Sequence, residues 1–214
     1  MKRTPGSEQY IEKIKPVMRK MKFSDLTIDA VAKYMDISKA TLYKHFSSKD
    51  EIAVLVINDY IDYLESGDVF VRDDTVSYSE RFRKIFEQSL KCVIYASDVL
   101  LADLKETSPD LYDALMQAEY SRNKSMEVFL QKGMDDGVFN RLNAALFMVQ
   151  DDAVIRRILD PKFSITYDLT LKQALMDYYR MKKYQLIAPA HIESEPKDEN
   201  ALEKRIMEIL QILF

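Results

Sequence analysis

The chain has 214 residues, of which 47% are hydrophobic and 31% charged, with only 4 Gly, 6 Pro and one cysteine, Cys92. That length buries a proper core in one domain or two small ones, and the composition is globular rather than disordered. One cysteine excludes an internal disulfide and fits a reducing cytoplasm; the longest apolar runs, such as 52–57, fall far short of a membrane span; and the basic start MKRTPGSEQY lacks the apolar stretch of a signal peptide.

The net charge of −4 disfavours nucleic acid at first sight, but its distribution points the other way. Residues 1–50 hold 11 Lys or Arg against 6 Asp or Glu, whereas residues 51–214 hold 20 against 29. A basic head on an acidic body is expected where only the head meets phosphates. The scarcity of Gly and Pro, with long runs of Lys, Glu, Leu, Met and Ala, predicts an all-α chain.

Taken in order, residues 1–7 form a basic arm with Lys2 and Arg3, either loose or reaching an adjacent groove. Ser7 to Met21 shows Tyr10, Ile11, Ile14, Val17, Met18 and Met21 at helical spacing, with Pro16 set to kink the helix or shift its start. Phe23 follows as a plug. Thr27–Met35 reads as a short helix capped by Thr27, with Ile28, Val31 and Ala32 inward. A second short helix begins at its cap, Ser38, and carries Leu42 inward, with Ile37 between the two as the apolar peg. Two helices across a tight turn make a helix-turn-helix, whose second helix can lie in a DNA major groove; the same skeleton also fits an ordinary helical hairpin. His45 reads as a packed joint to the next helix, and Phe46 as core.

Ser47 to Glu51 opens a fourth helix expected to reach Ser66 and stop at Gly67. Further helices are expected at about 77–96, 98–107 and 108–136, the last opened by Ser108-Pro109-Asp110 and ended by Gly137. Two more follow at 143–159, stopped by Asp160-Pro161, and at 168–186. A polar linker, 191–200, precedes a last amphipathic segment, 201–214. Its Leu202, Ile206, Ile209, Leu210 and Phe214 recur at three and four residues, so it must dock on something.

Thr27-Ile28, Val31-Ala32, Ile37-Ser38 and the run Thr41-Leu42-Tyr43-Lys44-His45-Phe46, with Lys49 three residues on, resemble the TetR family of bacterial transcriptional regulators. The likeness covers about 45 residues; beyond them only helix count, order and length agree. The family commonly has glycine where this chain has Lys22, Asp36 and Ala40, and of these aspartate tolerates the left-handed backbone of a turn.

The resemblance implies a three-helix DNA-binding domain in residues 1–50 and a helical ligand-binding and dimerisation domain in residues 51–214. It implies that Tyr43 and Lys49 bind phosphates of double-stranded operator DNA. Thr27 can do so through its hydroxyl and the exposed helix amides. Ser38, Lys39, Ala40 and Thr41 fall at the reading positions, Lys39 for guanine and Ala40 or Thr41 for a thymine methyl. Lys44 faces solvent, a phosphate or a base.

A homodimer on a palindromic operator is implied, with 143–159 and 168–186 forming a four-helix interface through Leu142, Leu146, Val149, Ile155, Leu159, Leu171, Leu175 and Tyr179. The same residues also suit the core of one chain. A small, apolar or aromatic ligand is implied among Phe82, Phe86, Tyr95, Tyr120, Met126 and Phe129, with Glu119 or Asn123 as its polar handle, although such a stripe equally reads as core. The expected function is a ligand-released repressor.

Enzyme classes find little footing. There are two histidines, His45 and His191, no phosphate-cradling glycine loop and no metal-ligand spacing, so neither cofactor nor metal is expected. Asp151-Asp152 reads as a solvated or interface pair. The competing class is a helical protein-interaction module that no longer binds specific DNA.

Overall fold

The computed structural model describes residues 6–192 and 199–213, and of residue 68 only the backbone. The arm residues Lys2 and Arg3, most of the polar linker and Phe214 lie outside the described residues. Among those described, every regular element is helical; one antiparallel bridge pairs Phe139 with Ile187. No helix among the described residues is long and apolar enough to cross a membrane. The chain divides into two compact units, one of residues 1–65, 94–119 and 213–214, the other of residues 66–93 and 120–212.

In the first unit, α1 (Glu8–Lys20) buries Ile11, Ile14 and Met18 and runs through Pro16 rather than starting after it. Phe23, 4% exposed, plugs the turn to α2 (Ile28–Met35). Thr27 caps α2 by accepting a bond from the Ala30 amide at 3.2 Å, and Ser38 caps α3 (Lys39–His45) by accepting from the Thr41 amide at 3.0 Å. Both hydroxyls satisfy helix N–H groups that otherwise lack partners.

Between these helices Asp36 adopts the left-handed conformation, φ 60° and ψ 46°. The Ile37 amide donates to Ala32 O (3.0 Å) and the Asp36 amide to Lys33 O (3.1 Å). This is the paired closure that usually has glycine at its left-handed residue. Asp36 and Asp168 are the non-glycine residues with positive φ among those described, so Lys22 and Ala40 need no glycine backbone. His45 packs against Tyr10 of α1, with ring centroids 5.1 Å apart and the planes tilted by 60°.

The helix α4 (Lys49–Val71) does not stop at Gly67. A Cβ built there would lie 2.7 Å from Gln88 Cδ and nearer still to its amide, so this glycine serves close packing against α5 (Tyr78–Tyr95), not helix termination. Next come α6 (Asp98–Thr107), capped by Ser97, and α7 (Pro109–Asp135), which ends before Gly137 at φ 73°.

In the second unit α8 (Ala144–Leu159) is capped by Asn143. Asp160-Pro161 ends it as expected, but at once caps and starts a helix that sequence reading missed, α9 (Pro161–Tyr167). Proline at the first position of a helix is as good a start as a stop. Left-handed Asp168 then breaks the chain, so α10 (Leu171–Leu186) begins three residues later than expected, with a capping box between Thr170 and Gln173. After α11 (Pro189–Ile192), α12 (Asn200–Leu210) buries Leu202, Ile206, Ile209 and Leu210 and packs on α10. Lys172–Glu203 (2.7 Å) and Arg180–Glu199 (2.8 Å) bridge that contact, which is the docking its periodicity requires.

Candidate nucleic-acid interface and regulatory site

The cap of α2, the cap and length of α3, and the first residue of α4 carry the predicted DNA residues. Thr27, Ser38, Lys39, Ala40, Tyr43 and Lys44 are exposed; Thr41 and Lys49 are half-buried. Tyr43 is 53% exposed, well above what a core tyrosine would show. The Ser38 and Thr41 hydroxyls lie 2.9 Å apart, tying two of the reading positions together. Lys39 Nζ is paired with Asp29 of α2 at 3.1 Å. A base-reading Lys39 must leave this exposed pair, which holds it only weakly.

Lys49 is differently engaged. Its ammonium donates to Phe23 O (3.0 Å), Ser24 O (2.7 Å) and Leu26 O (2.9 Å), and it lies 5.3 Å from the centre of the Phe23 ring. Three carbonyls around one cation make a clamp on the turn before α2. Glu51 completes the entry to α4 by accepting from the Ser47 amide and hydroxyl, both at 2.6 Å, which hold its carboxyl below the usual range.

The turn is gripped from α6 as well. Buried Asp103 accepts from the Ser24 amide at 3.1 Å and from the Ser24 hydroxyl, Lys22 meets Glu106 at 2.6 Å, and Ser97 Oγ donates to Arg19 O at 3.0 Å. α1 also packs along α6. The head therefore rests on contacts from residues 97–106, which lie far outside the 27–49 stretch in sequence.

The eight ligand candidates divide between the two units. Tyr95 and Glu119 belong to the first unit, where Tyr95 stacks on Tyr60 at 4.9 Å. In the second, Phe82, Phe86, Met126 and Phe129 are core residues no more than 3% exposed. Tyr120 is 57% exposed beside Lys124, and Asn123 is half-buried and accepts from Arg122 at 3.3 Å. Phe82, Met126 and Phe129 do line one enclosed cavity with Phe147, but its volume is about 10 Å³, at most a single water.

Sequence reading missed the polar groups of this unit. Lys182, 1% exposed, sits on the inner stripe of α10 and donates to Phe147 O (2.6 Å), with Asp151 at 3.2 Å and Gln150 at 3.3 Å. Asp151, 6% exposed, also accepts from the Tyr178 hydroxyl at 2.9 Å. Burial pushes the Asp151 carboxyl up and the Lys182 ammonium down, each toward its neutral form. Asp151-Asp152 is thus not one pair: Asp152 is exposed and held by Arg156 (2.9 Å), while Asp151 is internal. Arg122 reaches Gln88 (2.9 Å) and Ser89 (2.7 Å). The available signal was spacing, because Asp151 falls four residues from both Phe147 and Ile155, and Lys182 four from both Tyr178 and Leu186.

The interface candidates separate by exposure. Ile155, Leu175 and Tyr179 are closed within the chain, at 0%, 0% and 5%. Leu142, Leu159 and Leu171 are half-buried, and Leu146 (63%) and Val149 (61%) face out. Met181 (67%) and Tyr184 (68%) of α10, not foreseen, are exposed too.

Residues 22–56 match the model of the family described as bacterial regulatory proteins, tetR family. No curated protein sequence matches the chain. Among solved structures, a TetR family transcriptional regulator, PfmR from Thermus thermophilus, is 16% identical, with 81% of this chain and 96% of that one covered at a TM-score of 0.58. AibR in complex with isovaleryl coenzyme A and operator DNA is 14% identical over 81% and 96% at 0.58. FadR from Bacillus subtilis in complex with stearoyl-CoA is 12% identical over 83% and 98% at 0.57.

Proposed function

We propose that this chain, which belongs to the TetR family of transcriptional regulators, is a repressor that binds a palindromic operator as a homodimer and is released by a small molecule in its second unit. One observation carries the DNA half. The exposed ridge from Ser38 to Lys44 is mounted on a closed helix-turn-helix within residues 22–56, the stretch matched by the family model. The missing turn glycine, which favoured a plain interaction module, is answered by Asp36 in the left-handed region.

Positioning and reading divide along that ridge. Tyr43, Thr27 and Lys44 contact phosphates, while Ser38, Lys39, Ala40 and Thr41 meet base edges, Lys39 after exchanging Asp29 for guanine. Lys49 holds the turn that presents them. Two heads are needed for useful discrimination and fix half-sites about one helical turn apart, or a multiple of it. Leu146, Val149, Met181 and Tyr184 on α8 and α10, which pack together, offer the apolar surface for a second copy.

Ligand response is supported by the fold shared with AibR and FadR, whose complexes hold acyl-coenzyme A compounds. Any occupant must bind the DNA-competent and released arrangements with different affinity. α4, α5 and α7 each have residues in both units and are covalent routes between them.

The test is an unbiased duplex selection on purified protein, followed by binding measured against salt. A palindromic consensus is expected, with affinity falling steeply as salt rises. Tyr43→Phe should weaken every duplex alike, whereas Lys39→Ala should relax one half-site position. No enrichment at moderate salt overturns the reading.

A further inference from the structure

The second unit carries an open groove of about 390 Å³ that DNA binding leaves without a role. Val71, Val128 and Phe129 give it apolar walls, and Arg72, Arg81 and Lys124 bring three cations to them. Its volume lies in the range of small-molecule sites, unlike the cavity beside Phe82.

Arg81 is the unusual member. It is 3% exposed, with its guanidinium 4.5 Å from the Tyr78 ring centre and 5.2 Å from that of Phe129. Its Nη1 donates to Val71 O (3.3 Å) and Asp74 (3.0 Å), but its buried Nε–H has no acceptor among the described residues. Buried donors of this kind are nearly always paired, so an orphan on a charged group in a groove wall marks a place for an acceptor that the described residues do not supply. The cations of the groove also meet carboxylates at its edge. Asp74 is shared between Arg81 and Lys132 (2.6 Å), and Glu127 takes Lys124 (2.8 Å).

We propose that this groove binds a small amphiphilic anion. Its carboxylate or phosphate head lies against Arg81, Arg72 and Lys124, and its apolar body lies along Val71, Val128 and Phe129. The site stands on the groove itself; its effect on DNA rests on the function proposed above.

Calorimetric titration of the full chain with octanoate, octyl phosphate and octanol tests it. Both anions, or one of them, should bind at least about tenfold more tightly than octanol, since charge-assisted bonds are the strong ones. The stronger anion identifies the head group. The double variant Arg72→Gln/Lys124→Gln, confined to exposed side chains, should weaken anion binding about tenfold and leave octanol unchanged. Arg81→Gln should abolish the preference for anions, with thermal melting to show that it folds. Equal binding of octanol and the anions, or an unaltered double variant, overturns the proposal. Anion binding without any change in affinity for the selected duplex upholds the groove and removes ligand release from the proposed function.

Discussion

Replacing Lys49 by methionine separates two roles that its position in the family motif merges. Methionine keeps the stem and its contact with Phe23 but removes the ammonium. Three carbonyls, of Phe23, Ser24 and Leu26, then lose a donor at 2.7 to 3.0 Å. A hydrogen bond to a charged group contributes about 1.5–3 kcal/mol, and three that share one ammonium on a half-buried side chain do not add fully. The head should lose about 2–4 kcal/mol of local stability on that basis. Hydrogen exchange at the α2 amides, such as Val31 and Ala32, reads this directly. Operator affinity should fall because the ridge is presented less often, while the slope of log affinity against log salt stays as in the wild type. A lost phosphate contact behaves oppositely, reducing the slope by about 0.9 for each phosphate released. Unchanged exchange protection together with a reduced slope would falsify the clamp and return Lys49 to the phosphate-binding set.

Two further changes probe the second unit. Asp151→Ala leaves Lys182 buried without its carboxylate and the Tyr178 hydroxyl without its acceptor, so urea denaturation should show a loss of about 3–5 kcal/mol. The double variant Asp151→Leu/Lys182→Met should recover most of it; equal losses in the two proteins would show that the pair is not coupled. Gly67→Ala would ordinarily strengthen a helix interior by about 1 kcal/mol. Here it must displace the Gln88 amide from Arg122, so a net loss of about 1–2 kcal/mol is expected, and a raised melting temperature would refute the packing argument.

The reading of the chain as an interaction module drew its support from three absent glycines, and the backbone removes that support residue by residue. Lys22 and Ala40 keep negative φ, and Asp36 takes the positive one. A short polar side chain makes that conformation tolerable at modest cost, which is why the motif survives the substitution.

Sequence alone determined what depends on neighbours a few residues apart. The caps at Thr27 and Ser38, the left-handed turn at Asp36, the inward Ile11, Ile14 and Met18 of α1, the inward Leu202, Ile206, Ile209 and Leu210 of α12 and the order of the long helices all follow from local hydrogen bonds and helical period, whereas Met21, expected on the first stripe, is exposed. Tertiary structure decided what depends on residues far apart. Only the fold brings Lys49 to carbonyls more than twenty positions earlier, sets Asp103 and Glu106 against the head, and turns Gly67 from a stop into a contact. Only the fold shows which leucines of α8 and α10 close the core and which face outward, because periodicity defines a stripe but not its partner. The same holds for the buried pair of Asp151 and Lys182 and for the cations around the groove. Each of these residues is ordinary in its own helix, and its role comes from the charge or ring that another helix places beside it.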